Sequence, residues 1–130
     1  MTIDGPALRL RIYIGEADRW QGHPLHEALV GILRERRLAG ATVTRGIEGF
    51  GRNAHLHTAK LLRLSEDLPI VIDVVDTEAR IREILPELDA MVGDGLITVE
   101  PVEVVAYRGT GPTTAGGAGG AATEGSGSGD

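Results

Sequence analysis

Arg45, Arg52, Lys60 and Arg63 bring four positive charges into one stretch of a chain whose formal net charge is −6. They stand beside Gly46, Gly49 and Gly51, residues that let backbone N–H groups approach a ligand closely. Arginine forks suit bidentate recognition of phosphate or carboxylate, and glycine-exposed amides make a nest for an anion. The stretch therefore has the parts of an anion or nucleotide site. The same side chains could instead solvate a loop or pair with Glu48, Glu66 and Asp67.

His55 and His57, two apart, share one side of an extended segment, and imidazole is the commonest metal ligand. Two ligands do not close a site. With no cysteine in the chain, a third would come from Asp, Glu, His23 or His26, including across a subunit interface. The competing use of the pair is polar contact within a loop or an interface hydrogen bond. Glu16, Asp18, Arg19 and Trp20 form a second polar cluster that could line a cleft, with the sole tryptophan expected to pack in a core or interface. Gly93-Asp94-Gly95 has the composition of an ordinary turn. Ser65 lies in an acidic stretch with no base placed by spacing, and no glycine-lysine-Ser/Thr phosphate loop exists. An enzyme is not expected.

These residues need elements to hold them. Leu8, Leu10, Ile12 and Ile14 alternate with Arg9, Arg11 and Tyr13, which predicts a half-buried strand over 8–14. Pro24 suits the first turn of a helix whose stripe is Leu25, Ala28, Leu29, Ile32 and Leu33, and Gly40 is the expected stop. Residues 41–50 read as a second strand interrupted by glycines, leading into a connection that reaches Pro69. A connection beyond about 12–15 residues is unusual in a compact domain, and such loops tend to be functional or disordered. We expect the mobile part to be 52–60, with 62–68 as a strand extension or brace.

Residues 69–75 (PIVIDVV) predict a strand buried on both faces. A helix follows, capped by Asp76 or Thr77, with Ile81, Ile84, Leu85, Leu88, Met91 and Val92 as its stripe. Pro86 predicts a kink or break, and Gly93-Asp94-Gly95 the stop. The last strand-like run, 96–107, changes its alternation at Glu100-Pro101, the mark of a bulge or a two-part strand. The order βαββαβ is an α+β, ferredoxin-like plan: a four-stranded antiparallel sheet with two helices on one face. Apolar residues on both parities of the later strands predict that the other face is covered by further subunits.

At 130 residues the chain has room for one domain, read here as 1–108, followed by a Gly/Ser/Ala-rich tail, 109–130, expected to be disordered. The acidic balance argues against nonspecific nucleic-acid binding. No apolar run reaches the roughly 18 residues of a membrane span, and no signal pattern opens the chain, so a soluble, cytoplasmic protein is expected.

Five spaced motifs carry a resemblance: GEADR at 15–19, PL at 24–25, GATV at 40–43, RGIEGFG at 45–51 and LRLSEDLP at 62–69. Together they resemble the domain-of-unknown-function 190 family of PII-like proteins, over 7–107. The resemblance implies a homotrimer of ferredoxin-like subunits with ligand sites in the clefts between neighbours. A fainter likeness runs to the PII nitrogen-signalling proteins. Their GFGR motif is matched by Gly49, Phe50, Gly51 and Arg52, and their GDGK turn by Gly93, Asp94 and Gly95, with Leu96 in place of the lysine. Their basic ending survives as Arg108-Gly109-Thr110-Gly111. In PII these segments surround an adenine nucleotide.

By this likeness Arg45, Gly49, Phe50, Gly51, Arg52, Gly93, Asp94, Gly95 and Arg108 are the candidate ligand-binding residues. His55 and His57 are the candidate metal ligands of an alternative, metal-binding trimer. The effector is expected to be a small anion, an adenine nucleotide among the candidates, with no obligatory cofactor implied. Regulation would run through the 51–61 loop to a partner protein, a membrane transporter or channel being one candidate. A third reading is a module that binds protein alone. Residues 51–69 contain no tyrosine, so uridylylation control is not supported.

Overall fold

The first strand, β1 (Gly5–Gly15), extends the predicted one at both ends, and its alternation is the sequence pattern realised. Leu8, Leu10, Ile12 and Ile14 are buried, while Arg9, Arg11 and Tyr13 are half-buried. The computed structural model describes residues 5–51, 57–58 and 67–109. Contacts divide the chain into two units: residues 9–100, and the terminal segments 1–8 with 101–130.

Within the larger unit a tight hairpin follows β1. Its strands β2 (Arg19–Trp20) and β3 (His23–Pro24) pair Arg19 with Pro24 and Trp20 with His23. The two turn residues, Gln21 and Gly22, both take positive φ (50° and 84°), the twist that suits a two-residue hairpin. Trp20 is half-buried. Pro24 stands one residue earlier than predicted, at the N-cap of α1 (Leu25–Glu35). Leu25, Leu29 and Leu33 supply the buried stripe of that helix.

Gly40 is not the helix stop. The chain leaves α1 at Arg36, and Arg37 takes the left-handed conformation (φ 62°). The Leu38 N–H donates to the Leu33 carbonyl (3.0 Å) and the Arg37 N–H to the Arg34 carbonyl (3.0 Å), a complete Schellman cap. An arginine at the left-handed position hides the signal a glycine would have shown.

The predicted strand over 41–50 is two pieces. β4 (Thr42–Arg45) pairs antiparallel with β7 (Pro69–Asp76), with Thr42 opposite Asp73 and Arg45 opposite Ile70. β5 (Glu48–Gly49) pairs with β6 (His57–Thr58) in a separate two-stranded ladder. The break falls at Gly46-Ile47. A helix, α2 (Glu78–Met91), follows β7 with Thr77 as N-cap, its side chain accepting the Arg80 N–H at 3.3 Å. The helix runs unbroken through Pro86. The proline and Arg82, whose carbonyl loses its usual partner, are both on the exposed side, so water can take that oxygen.

The last strand, β8 (Leu96–Val104), shows the predicted change of phase. Ile97 and Val99 are half-buried before Glu100-Pro101, and Val102 and Val104 after it. The main sheet has the order β4-β7-β1-β8. Two helices and a four-stranded antiparallel sheet make this the ferredoxin-like plan expected from sequence. Its core in the 9–100 unit includes Leu10, Ile12, Leu29, Ile72, Ile81 and Leu88, all fully buried. Burying one such side chain contributes roughly 1.5–3 kcal/mol.

The other unit is described over 5–8 and 101–109. Ala7 and Leu8 are buried, whereas Val105 is 90% exposed. The tail beyond Gly109 lies outside the described residues. No helix among the described residues is long and apolar enough to cross a membrane.

Two ionic knots hold the larger unit. Asp76 is fully buried and satisfies its carboxylate with the Thr77 N–H (2.7 Å), the Ala39 N–H (2.9 Å) and Arg80 Nε (3.1 Å). Arg80 donates onward to the carbonyls of Arg36 (3.2 Å) and Arg37, so the last turn of α1 is tied to the first turn of α2. On the opposite face of the sheet, Asp73 accepts from both Arg9 Nε (3.0 Å) and Arg11 Nε (2.9 Å). Burial pushes the Asp73 carboxyl up and is the largest single influence. The hydrogen bonds and charges of Arg11 and Arg9 together outweigh it, and the carboxyl ends below its ordinary value. That face is half-buried in β7, at Pro69, Val71, Asp73 and Val75, so burial of this strand on both faces is not supplied by one chain.

Candidate functional site

Three motifs far apart in sequence meet at one end of the sheet. In the antiparallel order, the end of β1, the end of β4, the start of β7 and the start of β8 lie at the same end. The turn after β1 is the GEADR segment. Asp18 Oδ2 accepts the Gly15 N–H (2.9 Å), the Asp18 N–H donates to the Gly15 carbonyl (3.2 Å), and the Leu25 N–H donates to the Asp18 carbonyl (2.8 Å). Arg19 is turned away, donating to the Gly22 carbonyl at 2.6 Å.

The LRLSEDLP segment reaches this turn through its last residues. The Glu16 N–H donates to the Leu68 carbonyl (2.8 Å) and the Ala17 N–H to Asp67 Oδ1 (3.0 Å). Gly15 lies close under that side chain: a Cβ there would stand 2.7 Å from Asp67 Oδ1, so a larger residue would push aside the carboxylate that accepts the Ala17 N–H. The RGIEGFG segment arrives from the other side. The Gly46 N–H donates to the Pro69 carbonyl (2.7 Å), and a Cβ on Gly46 or Gly49 would stand 2.9 or 3.0 Å from Pro69 Cγ. Those two glycines exist so that the backbone can lie against the proline ring. Arg45 Nη2 then pairs with Glu16 Oε2 at 2.6 Å.

Glu16 therefore holds both feet of the long connection, one through its backbone and one through its carboxylate. Among the described residues the partner of Arg45 is Glu16 rather than Glu48 or Asp67. Sequence reasoning singled out Glu16 as part of a cluster but missed this role, since nothing local links 16 to 45.

Beyond Arg45 the segment displays apolar side chains. Ile47 is 79% exposed and Phe50 72%, with Gly51 also exposed. Arg52, Lys60, Arg63 and His55 lie outside the described residues, and of His57 only the backbone, in β6, is described. Among the described residues no group of three or more His, Asp and Glu side chains is placed to hold a metal.

The Gly93-Asp94-Gly95 turn precedes β8. Its two glycines differ. A Cβ on Gly95 would meet the Tyr13 carbonyl oxygen at 2.6 Å, whereas Gly93 has open space around it. Arg108 belongs to the unit of terminal segments and is exposed. Within the 9–100 unit, β4 and β8 are the two edges of the sheet, with β7 and β1 between them. Three strand spacings put the Arg45 and Gly95 ends about 14 Å apart. Both edges nonetheless reach the end of β1, Arg45 through its side chain on Glu16 and Gly95 through its contact with Tyr13.

An α+β sheet of this order, with a long connection rooted beside the end of its first strand, is the architecture of the PII-like proteins. CPII, a nitrogen regulatory PII-like protein from Thiomonas intermedia K12 whose structure is bound to ADP, AMP and bicarbonate, superposes with a TM-score of 0.57 at 17% identity, over 79% of this chain and 99% of that one. The divalent ion tolerance protein CutA1 from Ehrlichia chaffeensis superposes at 0.52 with 11% identity, over 82% and 88%. These likenesses define the fold. The DUF190 family profile (uncharacterized ACR, COG1993) matches residues 7–104, and the chain belongs to that family. A UPF0166 protein of Aquifex aeolicus is 38% identical over 96 residues, 74% of this chain and 90% of the relative. Another, from Methanocaldococcus jannaschii, is 35% identical over 101 residues, 77% and 91%.

Proposed function

We propose that this protein is a cytoplasmic PII-like signalling module rather than an enzyme. It assembles as a homotrimer and binds a small anionic effector, of the adenine-nucleotide class, in the cleft between subunits. Arg45, Gly49, Phe50, Gly51 and Arg52 of one subunit form one wall, and Gly93, Asp94 and Gly95 of its neighbour form the other. Effector binding shifts the population of the 51–61 loop, and the loop engages or releases a partner protein, a membrane transporter or channel in our reading.

The observation that carries this reading is the placement of the two segments at opposite edges of one sheet, at the same end of it. In the strand order the ends of β7 and β1 lie between the backbones of Arg45 and Gly95. A neighbour presenting its β8 edge to the β4 edge would complete the site. The wholly exposed β4 edge and the half-buried sheet face are consistent with such a neighbour.

Calorimetry with ATP, ADP, AMP and cyclic AMP at up to millimolar concentration tests the effector class. At least one should give saturable binding, and silence from all four would reject it. Subunit sharing is tested by complementation. Arg45→Glu and Gly93→Glu, each expected to abolish binding alone, should recover a fraction of sites when co-assembled, because one interface then carries both intact walls. Equilibrium sedimentation reports the expected three-subunit mass.

A further inference from the structure

We propose that Glu16 is an internal competitor for the anion site: its carboxylate occupies the Arg45 guanidinium and sets how much effector charge is needed to displace it. This rests on the anion-binding reading above and adds to it a residue that governs specificity.

The geometry is the warrant. Arg45 Nη2 lies 2.6 Å from Glu16 Oε2, a charge-assisted bond to a side chain only 22% exposed, whereas the arginine is 59% exposed. A guanidinium has five N–H donors, so the exposed remainder of Arg45 still faces solvent where an anion would arrive. The Glu16 backbone is anchored by its N–H bond to the Leu68 carbonyl at 2.8 Å, so only its side chain can follow Arg45 toward a ligand.

The surrounding charge sharpens the competition. Asp18 and Asp67 are held at the same turn by the N–H groups of Gly15 and Ala17. Arg19, the nearest other cation in sequence, is committed to the Gly22 carbonyl. Glu16, Asp18 and Asp67 thus put three carboxylates at the turn that Arg45 reaches through Glu16, and an incoming anion must both displace Glu16 and tolerate its charge. The penalty on binding grows with the charge of the ligand.

Calorimetric affinities for ADP and AMP, measured on the full chain as wild type, Glu16→Gln, Arg45→Gln and the double variant, test this. Glutamine keeps the backbone bond and the side-chain volume while removing the charge. Glu16→Gln should bind ADP about 5-fold tighter, the upper end for a partly exposed pair. The gain should be smaller for AMP and should shrink in the Arg45→Gln background, where only the repulsion between Glu16 and the ligand is left to remove. Glu16→Asp, too short to reach Arg45 but still charged, should recover part of the gain. Unchanged or weaker ADP binding by Glu16→Gln, with wild type still binding, overturns the competitor role and leaves the effector proposal standing. A gain equal for ADP and AMP also overturns it, since a merely structural change would not distinguish ligand charge. If neither wild type nor Glu16→Gln binds either nucleotide, the effector proposal itself falls and this inference falls with it.

Discussion

Substituting the two glycines of the Gly93-Asp94-Gly95 turn by alanine should separate packing from ligand recognition. A Cβ on Gly95 would stand 2.6 Å from the Tyr13 carbonyl oxygen, 3.0 Å from Val92 Cγ1 and 3.1 Å from Ile14 Cγ2. The first of these is backbone in the middle of the sheet and cannot swing aside, and Ile14 is buried. The start of β8 would have to move off β1. Overpacking of this kind costs about 1–3 kcal/mol, and a backbone obstacle argues for the upper half. For a folded part of about 100 residues, 2–3 kcal/mol lowers the unfolding midpoint by about 8–20 °C.

Gly93 meets nothing within 4 Å and does not take a left-handed φ. Gly93→Ala should change stability by no more than about 0.5 kcal/mol, and it can raise it by restricting the unfolded chain. Thermal and urea unfolding followed by circular dichroism measure both. Equal midpoints, or a larger loss in Gly93→Ala, would refute the packing account of Gly95.

Arg37→Gly should stabilise the protein by about 0.5–1 kcal/mol in urea unfolding, because the left-handed position after α1 suits glycine, and the carbonyl that Arg80 uses is retained. Asp76→Ala should cost about 3–5 kcal/mol, since it strands Arg80 and the Ala39 and Thr77 N–H groups around a buried site; a loss under 1 kcal/mol would contradict the knot. The depressed Asp73 carboxyl gives a signed pH effect. The unfolded state binds the proton more tightly, so stability rises with pH there. The contribution is full above the ordinary carboxylate pKa and is lost as pH falls through the lower folded value. Asp73→Asn should flatten part of the acid limb of stability measured from neutral pH downward.

The fold was legible because burial period maps directly onto structure. The alternation of Leu8 to Ile14, the stripe of Leu25, Leu29 and Leu33, and the phase change at Glu100-Pro101 each reappear in the observed burial. The failures have local causes. Arg37 does the work expected of a glycine, and Pro86 falls on the solvent side of its helix, where a missing N–H is tolerated.

Residue types alone mark 45–63 as a basic, glycine-rich stretch with the parts of an anion site, and GEADR, RGIEGFG and LRLSEDLP carry the family resemblance. Only tertiary structure decided that the three converge. Gly15 lies under the Asp67 carboxylate, Gly46 and Gly49 lie against the Pro69 ring, and Arg45 is held by Glu16 across the end of the sheet. Periodicity reports the partner a residue has in solvent or core, a one-body property that sequence encodes locally. Which glycine meets which proline, and which arginine meets which carboxylate, is a pair property set by strand order.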